Sequence, residues 1–259
     1  MPKTLIKQNP LFSKKVEGNK KLAIAELFCD TLQGEGINIG VPATFMRLQG
    51  CTLQCVWCDT LDVWPNGNEY SFEEIFQLFE DAKLIEKFKS GSQHLVLTGG
   101  SPLKQREQLS SFLQTFVEKY TFDESDKKRF YVEIENECVL DVNNSLERFI
   151  KCWNNSPKLS NSGMRDIVRR KPTILQKLKK YENSWFKFVI QKESDWIEIK
   201  NDFLQYGLIN KEQIILMPEG QTQEELTKTR ELVANIAIRE GVRFTDRLHV
   251  TIWNKKTGV

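Results

Sequence analysis

From Lys21 onward, short apolar segments alternate with stretches of helical periodicity, and that alternation admits few folds. Leu22–Phe28, Thr44–Leu48, His94–Thr98, Phe130–Ile134, Phe149–Trp153, Trp185–Ile190 and Gln213–Met217 read as strands. Ser71, with Glu74 three residues on, opens a helix by a capping box, and Ile75, Leu78, Phe79 and Ala82 supply its apolar stripe. Helical segments also run to Tyr120, over Arg165–Lys180 with Pro172 as a break, over Trp196–Tyr206, and over Thr222–Arg239 behind a second box formed by Thr222 and Glu225. Val242–Phe244 and Leu248–Ile252 read as the last strands. Such an order predicts an α/β fold with a largely parallel sheet and right-handed crossovers. The count, about six strand–helix units, falls short of an eight-fold barrel and predicts a partial, open β/α barrel. A ligand is then expected at the carboxyl ends of the strands. Residues 1–20, polar and Lys-rich, read as a loose N-terminal arm, and 21–259 as a single core domain.

Composition removes some function classes. Hydrophobic residues make up 40% of the 259, enough for a packed core. With 37 basic and 35 acidic side chains the net charge is +2, which gives no ground for a nucleic-acid or membrane partner. No run approaches the about 18 apolar residues of a membrane span. Met1-Pro2-Lys3-Thr4 has no apolar signal region behind it, so the expected compartment is the cytoplasm, where thiols stay reduced.

Six cysteines are present, and three of them, Cys51, Cys55 and Cys58, fall within eight residues as C-x₃-C-x₂-C. Three thiolates in one short loop suit one face of a [4Fe–4S] cluster and leave the fourth iron open to a small molecule. The competing reading is a zinc site that lacks its fourth ligand. His94 and His249 are the only histidines, and Cys29, Cys138 or Cys152 could in principle complete such a site. His94, at the opening of a strand, reads as structural. His249 is open between a substrate contact and a hydrogen-bonded core residue.

The cysteine spacing resembles the radical S-adenosylmethionine superfamily. The flanking segments Leu32-Gln33-Gly34-Glu35-Gly36, Arg47, Cys58-Asp59-Thr60, Thr98-Gly99-Gly100-Ser101-Pro102-Leu103, Ser156-Pro157-Lys158, Lys187-Phe188-Val189 and Arg247-Leu248-His249-Val250 occur in the order seen in 7-carboxy-7-deazaguanine synthases. The resemblance runs from about Glu26 to the C-terminus and leaves out the first twenty residues. It implies a lyase of 7-deazapurine and queuosine biosynthesis. In that family a 5′-deoxyadenosyl radical takes hydrogen from 6-carboxy-5,6,7,8-tetrahydropterin, the ring contracts, and ammonia leaves.

Residue roles follow from the same resemblance. Leu32, Gln33, Gly34, Glu35, Arg47, Thr98, His249 and the terminal carboxylate of Val259 are expected to contact the pterin. Trp57, Asp59, Gly99, Gly100, Ser101, Glu135, Ser156, Pro157 and Lys158 are expected around S-adenosylmethionine, and the Thr60 hydroxyl on Mg²⁺. No side chain is assigned as a general acid or base. The resemblance also implies a homodimer and a flavodoxin or ferredoxin as reductant. Two departures stand out. Relatives read G-G-E-P where this chain has Gly99-Gly100-Ser101-Pro102, and E-T-N-G where it has Glu135-Asn136-Glu137-Cys138. A glycyl-radical-enzyme activating protein of the same superfamily is the alternative function.

Overall fold

Strand and helix starts are fixed by local chemistry first. In the computed structural model, which describes residues 2–7, 14–256 and 258, Ser71 accepts from the backbone of Glu74 while Glu74 returns a bond to Ser71, closing the expected capping box. At Thr222 only half of the expected box forms. Its side chain accepts from Glu225 N, but the Glu225 carboxylate takes Gln221 N–H instead.

The elements in chain order are β1 (Lys3–Ile6), β2 (Lys21–Leu32), β3 (Pro42–Leu48), β4 (Asn68–Ser71), α1 (Phe72–Asp81), α2 (Ile85–Ser90), β5 (His94–Gly99), α3 (Arg106–Lys119), α4 (Glu124–Arg129) and β6 (Val132–Asn136). There follow α5 (Asn144–Glu147), β7 (Ile150–Asn155), α6 (Asp166–Arg169), α7 (Pro172–Leu178), β8 (Ser184–Ile190), α8 (Glu193–Ile199), β9 (Ile214–Pro218), α9 (Gln223–Glu240), β10 (Arg243–Phe244) and α10 (Leu248–Trp253). Pro172 stands at the first position of α7, so it breaks 165–180 into two short helices.

One sheet runs in the order β1-β2-β3-β5-β6-β7-β8-β9-β10, with β4 also on β2. From β3 to β10 each strand is parallel to the next on that path, whereas β1, β3 and β4 are antiparallel to β2. Six crossovers therefore join the parallel strands, and the sheet does not close on itself among the described residues. The helices pack one face of it through an aromatic core. Phe72 and Phe76 on α1 meet Phe112 on α3 with ring centroids 5.3 and 5.1 Å apart. Burying one such ring stabilises the fold by about 1.5–3 kcal/mol. No helix is long and apolar enough to cross a membrane among the described residues.

Two expectations are corrected. Leu248–Ile252 is helical, not a strand, because Leu248 N donates to Gly34 O at 2.8 Å and Thr251 N returns to Arg247 O at 3.0 Å. The described part of 1–20 is not loose either. Lys3–Ile6 pairs with the free edge of β2 and buries Ile6, and the Lys14 and Val16 amides donate to the Asn68 and Glu69 side chains.

Candidate active site

The parallel register brings polar residues of successive strands side by side. Arg47 on β3 lies opposite Thr98 on β5, and Leu48 opposite Gly99. Glu135 on β6 lies opposite Asn154 on β7, and Lys187 on β8 opposite Ile215 on β9. Of these, Arg47, Thr98, Gly99, Glu135, Asn154 and Lys187 line one cavity together with Cys51, Cys55 and Cys58.

The thiols sit on a loop that other segments shape. Val56 N donates to Ser162 O, Cys58 N to Cys55 O, and Trp57 Nε1 to Asn161 Oδ1. Gly99 and Gly100 explain themselves by close approach. A Cβ on Gly99 would meet Leu48 O at 2.4 Å, and one on Gly100 would meet Gly50 O at 2.4 Å and Cys51 Cβ at 2.6 Å. The cysteine loop therefore packs directly on the glycine turn.

These residues fit an iron–sulfur cluster. Burial pushes the Cys51 thiol up to about 11 and raises that of Cys55 as well. Such thiols stay protonated near neutrality unless a metal compensates the thiolate charge. Cys29, Cys138 and Cys152 are buried, and of the six cysteines only the three in the loop line the cavity.

The same cavity carries a charged wall. Glu35 receives a hydrogen bond from Lys187 Nζ and another from Arg247 Nε at 2.9 Å. Arg247 also binds Asp59, and its Nη1 donates to Gly220 O at 2.6 Å. Burial alone would raise the Glu35 carboxyl, but Lys187 and Arg247 outweigh it and hold the group well below the usual range. Burial lowers His249, against the opposing charge of Glu35, so the imidazole is neutral near pH 7. Arg47 Nε donates to Glu26 Oε2 at 3.2 Å, which leaves its two terminal nitrogens to fork onto a ligand.

A second network lies beneath. Glu133 is fully buried, and its Oε2 accepts from Asn154 Nδ2 at 2.8 Å and Gln33 Nε2 at 3.3 Å. His94 Nδ1 is 2.5 Å from Glu133 Oε1, and the ring stacks on Tyr131, so this histidine serves the fold. Thr98 Oγ1 donates to Glu135 Oε2 at 2.8 Å.

The structure thus brings Leu32, Gln33, Gly34, Glu35, Arg47, Trp57, Asp59, Thr60, Thr98, Gly99, Gly100, Glu135, Ser156, Lys158 and His249 onto one cavity wall with the three cysteines. Ser101 and Pro157 are not on it. Ser101 is fully buried and turned toward Glu137, and Pro157 is buried behind Ser156. Val259 lies outside the described residues. Sequence reasoning gave no role to Lys187 or Arg247, although both stood in motifs it singled out. It also missed Asn154 and Glu137. For Glu137 a signal existed: Glu133 and Glu135 alternate on β6, and Glu137 continues the same spacing just past its end.

Comparison with known proteins fits this geometry. A family model described as a 4Fe-4S single cluster domain matches residues 32–130. The 7-carboxy-7-deazaguanine synthase of Pyrobaculum aerophilum is 32% identical over 244 residues, covering 92% of this chain and 97% of the relative. That of Halobacterium salinarum is 30% identical over 260 residues, covering 90% and 91%. The crystal structure of QueE from Escherichia coli shares the fold, with a TM-score of 0.60 at 20% identity over 88% of this chain and 95% of that one. With most of its length aligned to such relatives, and its three loop thiols gathered at the strand ends, this chain belongs to the 7-carboxy-7-deazaguanine synthase family.

Proposed function

We propose that the chain converts 6-carboxy-5,6,7,8-tetrahydropterin into 7-carboxy-7-deazaguanine with loss of ammonia, in the supply of 7-deazapurines such as queuosine. One observation carries this reading: the thiol loop and the Glu35–Lys187–Arg247 wall line the same cavity. A radical chemistry and a polar, carboxylate-bearing substrate need to meet in one place, and here they would.

When bound, the [4Fe–4S] cluster on Cys51, Cys55 and Cys58 and S-adenosylmethionine supply the hydrogen-abstracting radical. The chain's own residues orient and enclose. Glu35, kept ionised, accepts from the N–H edge of a pterin ring. Arg47 forks onto a carboxylate or ring oxygen. Gln33 offers both a donor and an acceptor, although Glu133 and Glu135 already hold its amide nitrogen. His249, neutral, adds one further donor or acceptor beside Glu35, with Nε2 3.9 Å from Glu35 Oε1. Trp57 and Lys158, stacked with the ammonium 5.3 Å from the ring centroid, cover the S-adenosylmethionine side with Ser156. The Thr60 hydroxyl, 3.7 Å from Cys58 Sγ, stands beside Asp59 where a Mg²⁺ shared with the substrate carboxylate would sit.

The reading extends to a flavodoxin or ferredoxin as electron donor, a homodimer, cytoplasmic placement and no nucleic-acid partner. Residues 21–259 act in it as one domain. The activating-enzyme alternative has no support among the relatives, which carry a single name. The test is anaerobic turnover of the reconstituted chain with the carboxytetrahydropterin and S-adenosylmethionine. Formation of the deazaguanine carboxylate is expected. Release of 5′-deoxyadenosine without that product would sink the proposal.

A further inference from the structure

Glu137 is a carboxylate that the fold buries at the cavity wall and leaves half satisfied. It follows β6 directly and is 4% exposed. Its Oε1 accepts from Thr52 Oγ1 at 2.7 Å and from Ser101 Oγ at 2.5 Å. Its Oε2 is buried with no hydrogen-bond partner among the described residues. A buried carboxylate oxygen left unpaired is costly, and at a cavity wall a bound donor would relieve that cost.

The location narrows what binds. Glu137 lines the same cavity as Cys51, Gly99 and Gly100. Thr52 follows the first cluster cysteine, and Ser101 follows the glycine pair, so the two hydroxyls pin the carboxylate between the cysteine loop and the glycine turn. A donor brought into the cavity by a ligand would complete the carboxylate.

Ser101 makes sense in the same frame. Where relatives place an acid after the glycine pair, this chain has a hydroxyl, and that hydroxyl is fully buried off the cavity wall. It cannot meet a ligand itself. It donates to a carboxylate that does.

We propose that Glu137, held by Thr52 and Ser101, is the acidic contact for the amino group of the methionine moiety of S-adenosylmethionine. The charge absent from position 101 is supplied from the end of β6. This rests on the radical S-adenosylmethionine reading above and adds to it the residue that recognises the amino group.

The test is equilibrium binding to the anaerobically reconstituted full chain, using S-adenosylmethionine and methylthioadenosine, which lacks the amino-acid portion. Glu137→Gln should bind S-adenosylmethionine about tenfold or more weakly, as loss of a charge-assisted hydrogen bond implies. Iron and sulfide content and methylthioadenosine affinity should not change. Ser101→Glu in the Glu137→Gln background should restore S-adenosylmethionine binding to within about threefold of the parent. Equal S-adenosylmethionine affinity in parent and Glu137→Gln would overturn the assignment, as would a parallel loss for both ligands, which indicates a structural role. If Glu137→Gln does not fold, the double variant decides: parental affinity supports the assignment, and a tenfold deficit overturns it. A parent that binds no S-adenosylmethionine would instead defeat the functional reading itself.

Discussion

Arg247 Nε donates to Glu35 Oε1 at 2.9 Å across 212 residues of sequence, and the same guanidinium reaches Asp59 and the carbonyl of Gly220. One side chain from the last turn before α10 thus ties together the loop after β2, the end of the cysteine loop and the turn after β9.

Arg247→Met should therefore unfold more readily than the parent. It leaves Glu35 with Lys187 alone and removes the charge partner of Asp59. Breaking a buried, hydrogen-bonded pair costs about 3–5 kcal/mol, which urea unfolding of the apo chain would register. A change under about 0.5 kcal/mol would show that the network does not bear on stability.

Glu35 also sets an acid limit. Its folded pKa is depressed below the ordinary value of 4.5. Its ionised form therefore stabilises the fold fully above pH 4.5, and that contribution is lost as the pH falls from 4.5 toward the folded pKa. In that window the parent should lose up to about 1.4 kcal/mol more per pH unit than Glu35→Gln. Unfolding midpoints at several pH values below 5 read the difference, and parallel slopes would contradict it.

Gly34→Ala should open the site from the other side. A Cβ there would fall 2.1 Å from His249 Nδ1 and 3.1 Å from His249 Cβ, so the imidazole must rotate out of place and its Cβ give by a few tenths of an ångström. That displacement loads the first turn of α10, where Leu248 N donates to Gly34 O. The expected outcome is faster amide exchange at Leu248 and a raised KM for the pterin, with iron content unchanged.

Cys55→Ala should abolish cluster assembly, scored by iron and sulfide analysis after anaerobic reconstitution. Full iron occupancy would remove Cys55 from the ligand set. Gly100→Ala should lower occupancy without touching a ligand, because its Cβ collides with Gly50 O and Cys51 Cβ.

Thr60→Ala should leave the cluster intact and weaken the response of turnover to added Mg²⁺. An unchanged metal response would take Thr60 out of the cation site.

What the sequence revealed depended on range. The capping box at Ser71, the short apolar strands and the C-x₃-C-x₂-C loop are patterns within a few residues, and each took the expected form. The six crossovers followed from that alternation. Leu248–Ile252 misled because its apolar pattern suits either strand or helix, and a contact with Gly34 chose the helix. β1 was hidden because Lys3 and Thr4 are exposed and only Ile6 is well buried.

The site divided in the same way. Lys187 meets Glu35 over 152 residues, and no local spacing announces such a pair. Ser101 stood where a ligand contact was expected, yet its rotation toward Glu137 depends on packing around Gly50 and the glycine turn. Cys138 shows how an apparent departure can still keep the backbone. It occurs where relatives carry glycine and adopts φ 63, the left-handed conformation that glycine favours, with its N–H bound to Asn136 Oδ1.

The cavity wall begins at Phe28 and ends at His249, so the order of synthesis matters. A nascent chain that has exposed its cysteine loop still lacks the guanidinium that pairs Glu35 and the helix turn that rests on Gly34. An oxygen-sensitive cluster loaded at that stage would face solvent through an unfinished wall. Loss of the chain from Arg247 onward would remove both the guanidinium that pairs Glu35 and Asp59 and the helix turn that rests on Gly34.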